Sequence, residues 1–143
     1  MSKTARNISV LNSYEQAALL QQPNSRAPTG LRNLCLISLM LKLGLRSGEL
    51  LNLKESDLNR ETKTLYIRES GAARGRTLQL GLAELELLER WERAKPKNTN
   101  LLFSTLDGKK LKDRYLREMI KRLAKRAGIK KDVYPHLLRV TFA

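Results

Sequence analysis

Two short stretches carry residue types that suit phosphate chemistry. "YPHLLRVTFA" holds the single histidine, His136, three residues before Arg139. On a helix that spacing puts both side chains on one face. A guanidinium grips two phosphate oxygens through parallel N–H groups, and an imidazole beside it gives or takes a proton near neutral pH. The second stretch, "GLRSGELLNL", places Arg46 just after Gly44, in a short break between two apolar segments. An arginine in such a tight turn presents a rigid guanidinium to a phosphate. Glu49, three residues on, either orients it or faces water. Each stretch alone also has a plainer reading. Arginines on apolar helices often extend to solvent, and a lone histidine is more often structural.

Composition narrows the partner. The 143 residues suffice for one core. Leucine is abundant and aromatics are few, which suits a mostly helical fold. A formal charge of +14 favours a polyanion, either nucleic acid or an anionic membrane surface. The excess is uneven, with 10 basic and 6 acidic residues over 1–70 against 18 and 8 over 71–143. The most hydrophobic stretch, "LCLISLMLKLGL", is too short to span a bilayer and contains Lys42, so no membrane partner is expected. The single cysteine, Cys35, forms no internal disulfide, which points to a reducing, intracellular setting. It reads as a buried packing residue.

The elements that must position these residues are mostly helices. Residues 1–12 read as a loose segment. Ser13 with Gln16 suggests a capping box for a helix over residues 14–22, stopped by Pro23. "GLRNLCLISLMLKLGL" is apolar on nearly all sides and belongs inside the domain, with Gly44 ending it. "RSGELLNL" is a shorter helix, and Asp57 and Asn59 suit a turn. "KTLYIRE" and "RTLQL" alternate and read as a β-hairpin around "SGAARG". "LAELELLERWERA" is amphipathic, with Trp91 packing inward. From Leu111 to Ala127, Leu116, Met119, Ile120, Leu123 and Ala127 form one apolar stripe. Arg114, Lys121 and Lys125 lie opposite it, with Arg117 and Arg122 on the flanks. Eleven Lys/Arg against two acids between Lys109 and Lys131 make this the natural polyanion-binding helix. Pro135 opens the last helix. The fold class is therefore mainly α with a small β-hairpin.

Taken together, "LGLRSGELLNLKESDLN" resembles the first arginine box of the tyrosine recombinase (phage integrase) family. "YPHLLRVTFA" resembles its second box, usually written His-x-Leu-Arg-His-Thr-Phe-Ala. The hairpin and the basic helix with "KRAGI" stand between them in the family's order, so the resemblance runs from about Ser13 to the last residue. It implies a catalytic domain of the DNA breaking-rejoining kind, acting on double-stranded DNA without metal or cofactor. In that chemistry a tyrosine attacks a backbone phosphate, forms a 3′-phosphotyrosyl link and releases a 5′-hydroxyl. By motif, Arg46 and Arg139 match the two phosphate-holding arginines and His136 the acid/base or orienting histidine, with Glu49 in support. Arg74 and Arg76 in the hairpin, and Arg114, Arg117, Lys121 and Lys125, become DNA contacts.

The sequence departs from the pattern in three ways. The hairpin turn "SGAARGR" lacks the family's usual lysine, which protonates the leaving oxygen. Val140 stands where a histidine often follows the second arginine. The third box and nucleophilic tyrosine, expected further on, do not follow. Tyr14, Tyr66, Tyr115 and Tyr134 are better read as packing or DNA-contact residues. The expectation is thus a partial catalytic domain over 13–143, with no core-binding domain ahead of it and no nucleophile of its own. Its setting is cytoplasmic and DNA-associated, of bacterial or phage origin. A non-catalytic DNA-binding module, or a competitor of a full-length recombinase at its sites, is the alternative; a full-length recombinase or a second copy on DNA is the expected protein partner. A basic RNA-binding protein explains the charge alone.

Duplex-DNA affinity, measured from about 50 to 200 mM salt, should fall steeply, because each neutralised phosphate releases counterions. An affinity flat with salt would contradict the phosphate-binding reading.

Overall fold

The computed structural model of the chain describes residues 10–68 and 74–142. Helix α2 (Pro28–Leu43) explains the rest of the arrangement. It is apolar around most of its circumference, and Leu36, Ile37, Leu39 and Met40 are essentially inaccessible. A helix of that kind must be wrapped by other elements. Helices α4 (Leu82–Ala94) and α6 (Pro135–Phe142) cover it most extensively, and α1 (Ser13–Leu20) adds a further side. Each fully buried leucine contributes about 1.5–3 kcal/mol, so this one helix anchors a large part of the stability.

The remaining elements are α3 (Ser47–Leu51), a 3₁₀ turn at Glu55–Asp57, β1 (Leu58–Asn59), β2 (Thr64–Ile67), β3 (Arg76–Gln79) and α5 (Asp113–Arg126). The fold is mostly helical with one antiparallel sheet in the order β1-β2-β3. The expected hairpin is β2–β3, in the register Leu65 opposite Leu78 and Tyr66 opposite Thr77. Leu65 and Ile67 turn inward while Tyr66 is exposed. Its tip, residues 69–73, lies outside the described residues.

Several expectations need correction. The cap of α1 is Asn12, not Ser13: Asn12 Oδ1 accepts from the Glu15 amide at 2.8 Å, and Glu15 Oε1 accepts from the Asn12 amide at 2.9 Å. The capping box therefore sits one residue earlier, and the helix ends at Leu20 rather than Gln22. The segment expected to be loose is anchored at its end. Leu11 is buried and its amide donates to Thr141 Oγ1 at 3.2 Å, while residues 1–9 lie outside the described residues. Asn59 belongs to β1, which pairs with β2. A two-residue strand has too little alternation to be read from sequence. Asn59 does serve a turn as well, accepting from the Thr62 amide at 3.1 Å. Trp91 packs inward as expected, stacked on Phe103 at 6.5 Å between centroids, with its indole N–H donating to the Leu102 carbonyl at 2.7 Å. Cys35 is buried too, and burial pushes its thiol up to about 12. No helix among the described residues is long and apolar enough to cross a membrane.

Gly44 ends α2 with φ of 69°, the left-handed region that disfavours side chains. A Cβ there would also meet the Phe142 ring of α6 at 2.3 Å. One glycine thus lets the chain turn towards Arg46 and lets the end of α6 close over it. Gly44→Ala should lower the unfolding free energy by about 2 kcal/mol, read from a urea transition. An unchanged midpoint would contradict this packing.

Candidate functional site

Arg46 is the cap residue of α3, reached through the αL turn at Gly44 and the fully buried Leu45. Its backbone is extended and its carbonyl accepts from the Leu50 amide at 3.0 Å, so the α3 start fixes it. Its side chain is exposed. Helix α6 begins at Pro135, whose fixed φ suits a first helical turn. Leu137 and Leu138 point into the core, which leaves exposed His136 and half-buried Arg139 on the outer side.

The two boxes meet. Arg46, Ser47, Pro135, His136 and Arg139 line a cavity of about 320 Å³. Arg46 and Arg139 also line a neighbouring cavity of about 600 Å³, joined there by Arg74 and Arg76 from the hairpin. Apolar walls, including Leu43, Val140 and Phe142, complete the larger one. Four guanidinium groups thus face one space. Arg139 Nε is buried without a hydrogen-bond partner among the described residues. A buried N–H of a cation left unpaired is costly.

Glu49 lies beneath this cluster, with its side chain 1% exposed. It does not orient Arg46 by pairing with its guanidinium. Its Oε1 accepts from the Arg46 backbone amide at 2.9 Å, and its carboxylate takes two bonds from Arg76, at 2.7 and 3.1 Å. Burial pushes the Glu49 carboxyl upward, but the Arg76 and Arg46 hydrogen bonds outweigh it and hold the group below its ordinary range. The cost of bringing a carboxylate out of water is offset only because these donors are in place.

The other expected contacts lie elsewhere. Arg117, Lys121 and Lys125 are exposed on α5 and make no ion pair among the described residues. Arg114, also on α5, sits 3.4 Å from Glu118 and lines a separate cavity. None of Tyr14, Tyr66, Tyr115 and Tyr134 lines either of the two arginine cavities. Among the described residues no group of three or more His, Cys, Asp or Glu is placed to hold a metal ion. Two features escaped the sequence reading. One is the Glu49–Arg76 bridge, which joins residues 27 apart. The other is an Asp57–Arg68 pair at 2.8 Å that ties the 3₁₀ turn to the end of β2.

Residues 9–143 match the phage integrase family. The chain belongs to that family. Among its relatives is the tyrosine recombinase XerC of Xanthomonas axonopodis pv. citri, 32% identical over 135 residues, covering 94% of this chain and 44% of the relative. Solved structures are similar as well, two of them as follows. The XerA recombinase superposes with a TM-score of 0.82 at 27% identity, covering 94% of this chain and 48% of that one. The XerH site-specific recombinase, bound to its palindromic difH substrate, gives 0.78 at 29% identity, covering 94% and 41%. The chain therefore spans a little under half the length of these relatives. As a member of the family it departs at Val140, which is half-buried in the wall of the larger cavity, and at the hairpin, where Arg74 and Arg76 face the cleft.

The Glu49 carboxyl predicts a pH dependence with a definite sign. Its folded pKa is lowered, so its stabilisation is complete above the ordinary carboxylate range and is lost as pH falls through the folded value. Glu49→Gln should destabilise by about 2 kcal/mol at pH 7, and the gap to the unsubstituted protein should close as pH drops below about 4. Urea midpoints across pH would show it, and a gap constant with pH would contradict the bridge.

Proposed function

We propose that the chain is the phosphate-gripping part of a site-specific tyrosine recombinase that acts on double-stranded DNA. The observation that carries this is the convergence of Arg46 and Arg139, from separate helices, on two shared cavities. In this reading the two guanidinium groups hold the non-bridging oxygens of one backbone phosphate. Charge builds on those oxygens as a fifth ligand approaches phosphorus, so fixed donors favour the transition state over the ground state. His136 gives or takes a proton at a phosphate oxygen. Glu49 is a positioning residue that holds the Arg46 backbone and the hairpin together.

Attack by a tyrosine hydroxyl forms the 3′-phosphotyrosyl bond and breaks the bond to the 5′-oxygen, which must then gain a proton. The hairpin turn holds no lysine for that step, and Arg74 and Arg76 are the basic residues beside it. A guanidinium keeps its proton, so they contribute charge rather than proton transfer. The attacking hydroxyl comes from outside the four tyrosines of this chain, through a longer form of the protein or another subunit on the DNA. Arg114, Arg117, Lys121 and Lys125 on α5 grip the duplex backbone. The XerH relative solved with difH supports a DNA partner. A second reading, a DNA-binding module that competes with a complete recombinase, is favoured by the exposed cations Arg117, Lys121 and Lys125 on α5.

With a nicked duplex the chain alone should bind yet form no adduct that survives denaturant. Arg139→Ala should weaken binding by about tenfold to a hundredfold, the range for a charged hydrogen bond. Unchanged affinity would overturn the phosphate-gripping role. A denaturant-resistant adduct would overturn the external source of the tyrosine.

A further inference from the structure

A third cavity, of about 580 Å³, opens where α5 begins, and it shares no residue with the two arginine cavities. Arg32 of α2 and Tyr115 of α5 form part of its wall, and Lys109, Lys110, Lys112 and Arg114 supply four further cations. Arg32 is only 3% exposed. Its N–H groups go to Asn33 Oδ1 at 3.1 and 3.0 Å, the Ser104 carbonyl at 3.1 Å and the Tyr115 hydroxyl at 2.6 Å. Its carbon centre lies 5.0 Å from the Tyr115 ring centroid. Every one of these partners is neutral, and no carboxylate reaches Arg32 among the described residues. A buried cation satisfied only by dipoles is poorly compensated, since opposite charge is what offsets desolvation.

The surroundings reinforce the imbalance. The acid in the cavity wall, Glu118, faces Arg114 at 3.4 Å. Lys109 is 3.9 Å from Asp107, too long for a close pair, and Lys110 bonds the neutral Asn52 at 2.7 Å. The first turn of α5 starts at the cavity, and no side chain among the described residues caps its amides at Lys112. A helix N-terminus adds partial positive charge.

We propose that this cavity is a second anion site that takes one phosphate group. Arg32 supplies the fixed, buried charge, and Lys109 and Lys112 guard the mouth. The phosphate belongs either to the backbone of the bound duplex or to a free phosphate ester, and the two share the same recognition.

The test is a titration of the whole chain with inorganic phosphate at constant ionic strength, following the Arg32 Nε–H and the Tyr115 amide by NMR. Both should shift saturably. The variant Lys109→Gln/Lys112→Gln, altered only at exposed positions, should weaken that binding by about tenfold. If a short duplex shifts the same signals and displaces phosphate, the ligand is a backbone phosphate. If saturating duplex leaves them unmoved while phosphate still binds, the ligand is a free phosphate ester. Absence of a saturable shift at Arg32 overturns the site, whatever Arg139 does in the same spectra, so its failure is separate from failure of the recombinase reading.

Discussion

Glu49 carries its charge into a place almost without water, and Arg46 and Arg76 converge on it from different elements. This bridge fixes two things together. The hydrogen bond that the Arg46 amide donates to Glu49 sets the start of α3, and those from the Arg76 guanidinium hold β3 against it. Removing the carboxylate would leave Arg76 facing Arg46, Arg74 and Arg139 with no opposite charge between them. Four like charges around one cleft repel, and proximity raises the cost when water is partly excluded. The fold tolerates the cluster because one buried acid neutralises its inner edge and its outer edge stays open for an anion.

The same logic connects packing to the site. Burial of α2 positions Gly44, and Gly44 accepts the Phe142 ring at the far end of α6. Arg139 sits one turn before that contact, so the core and the cleft are parts of one rigid arrangement. Membership of the phage integrase family fits this economy of parts. In the proposed reading, phosphoryl transfer would need mainly positioning and electrostatic stabilisation, and two anchored helix ends and a hairpin would supply both.

How much of this was legible in the sequence follows from the range of each interaction. Helices α2, α4 and α5 repeat their apolar residues over three or more turns, and both arginine boxes are local strings, so these could be read directly. The cap at Asn12 was missed because Ser13–Gln16 offers the same pattern one residue later. Strand β1 was missed because two residues show no period. The Glu49–Arg76 bridge and the Arg32–Tyr115 contact join residues 27 and 83 apart. Nothing in a linear pattern pairs them, and only the fold brings them together. Arg32 gave one faint signal, a charge near the start of a helix otherwise fit for the interior.

In the proposed reading Arg46 and Arg139 hold one and the same phosphate. A double-mutant cycle on duplex binding at low salt, with Arg46→Ala, Arg139→Ala and the double variant, tests it directly. Two groups sharing one phosphate predict strong non-additivity, with the second substitution costing much less once the first is made. Losses that add to within about 0.5 kcal/mol would show that the two arginines act on separate parts of the DNA, and would contradict the account.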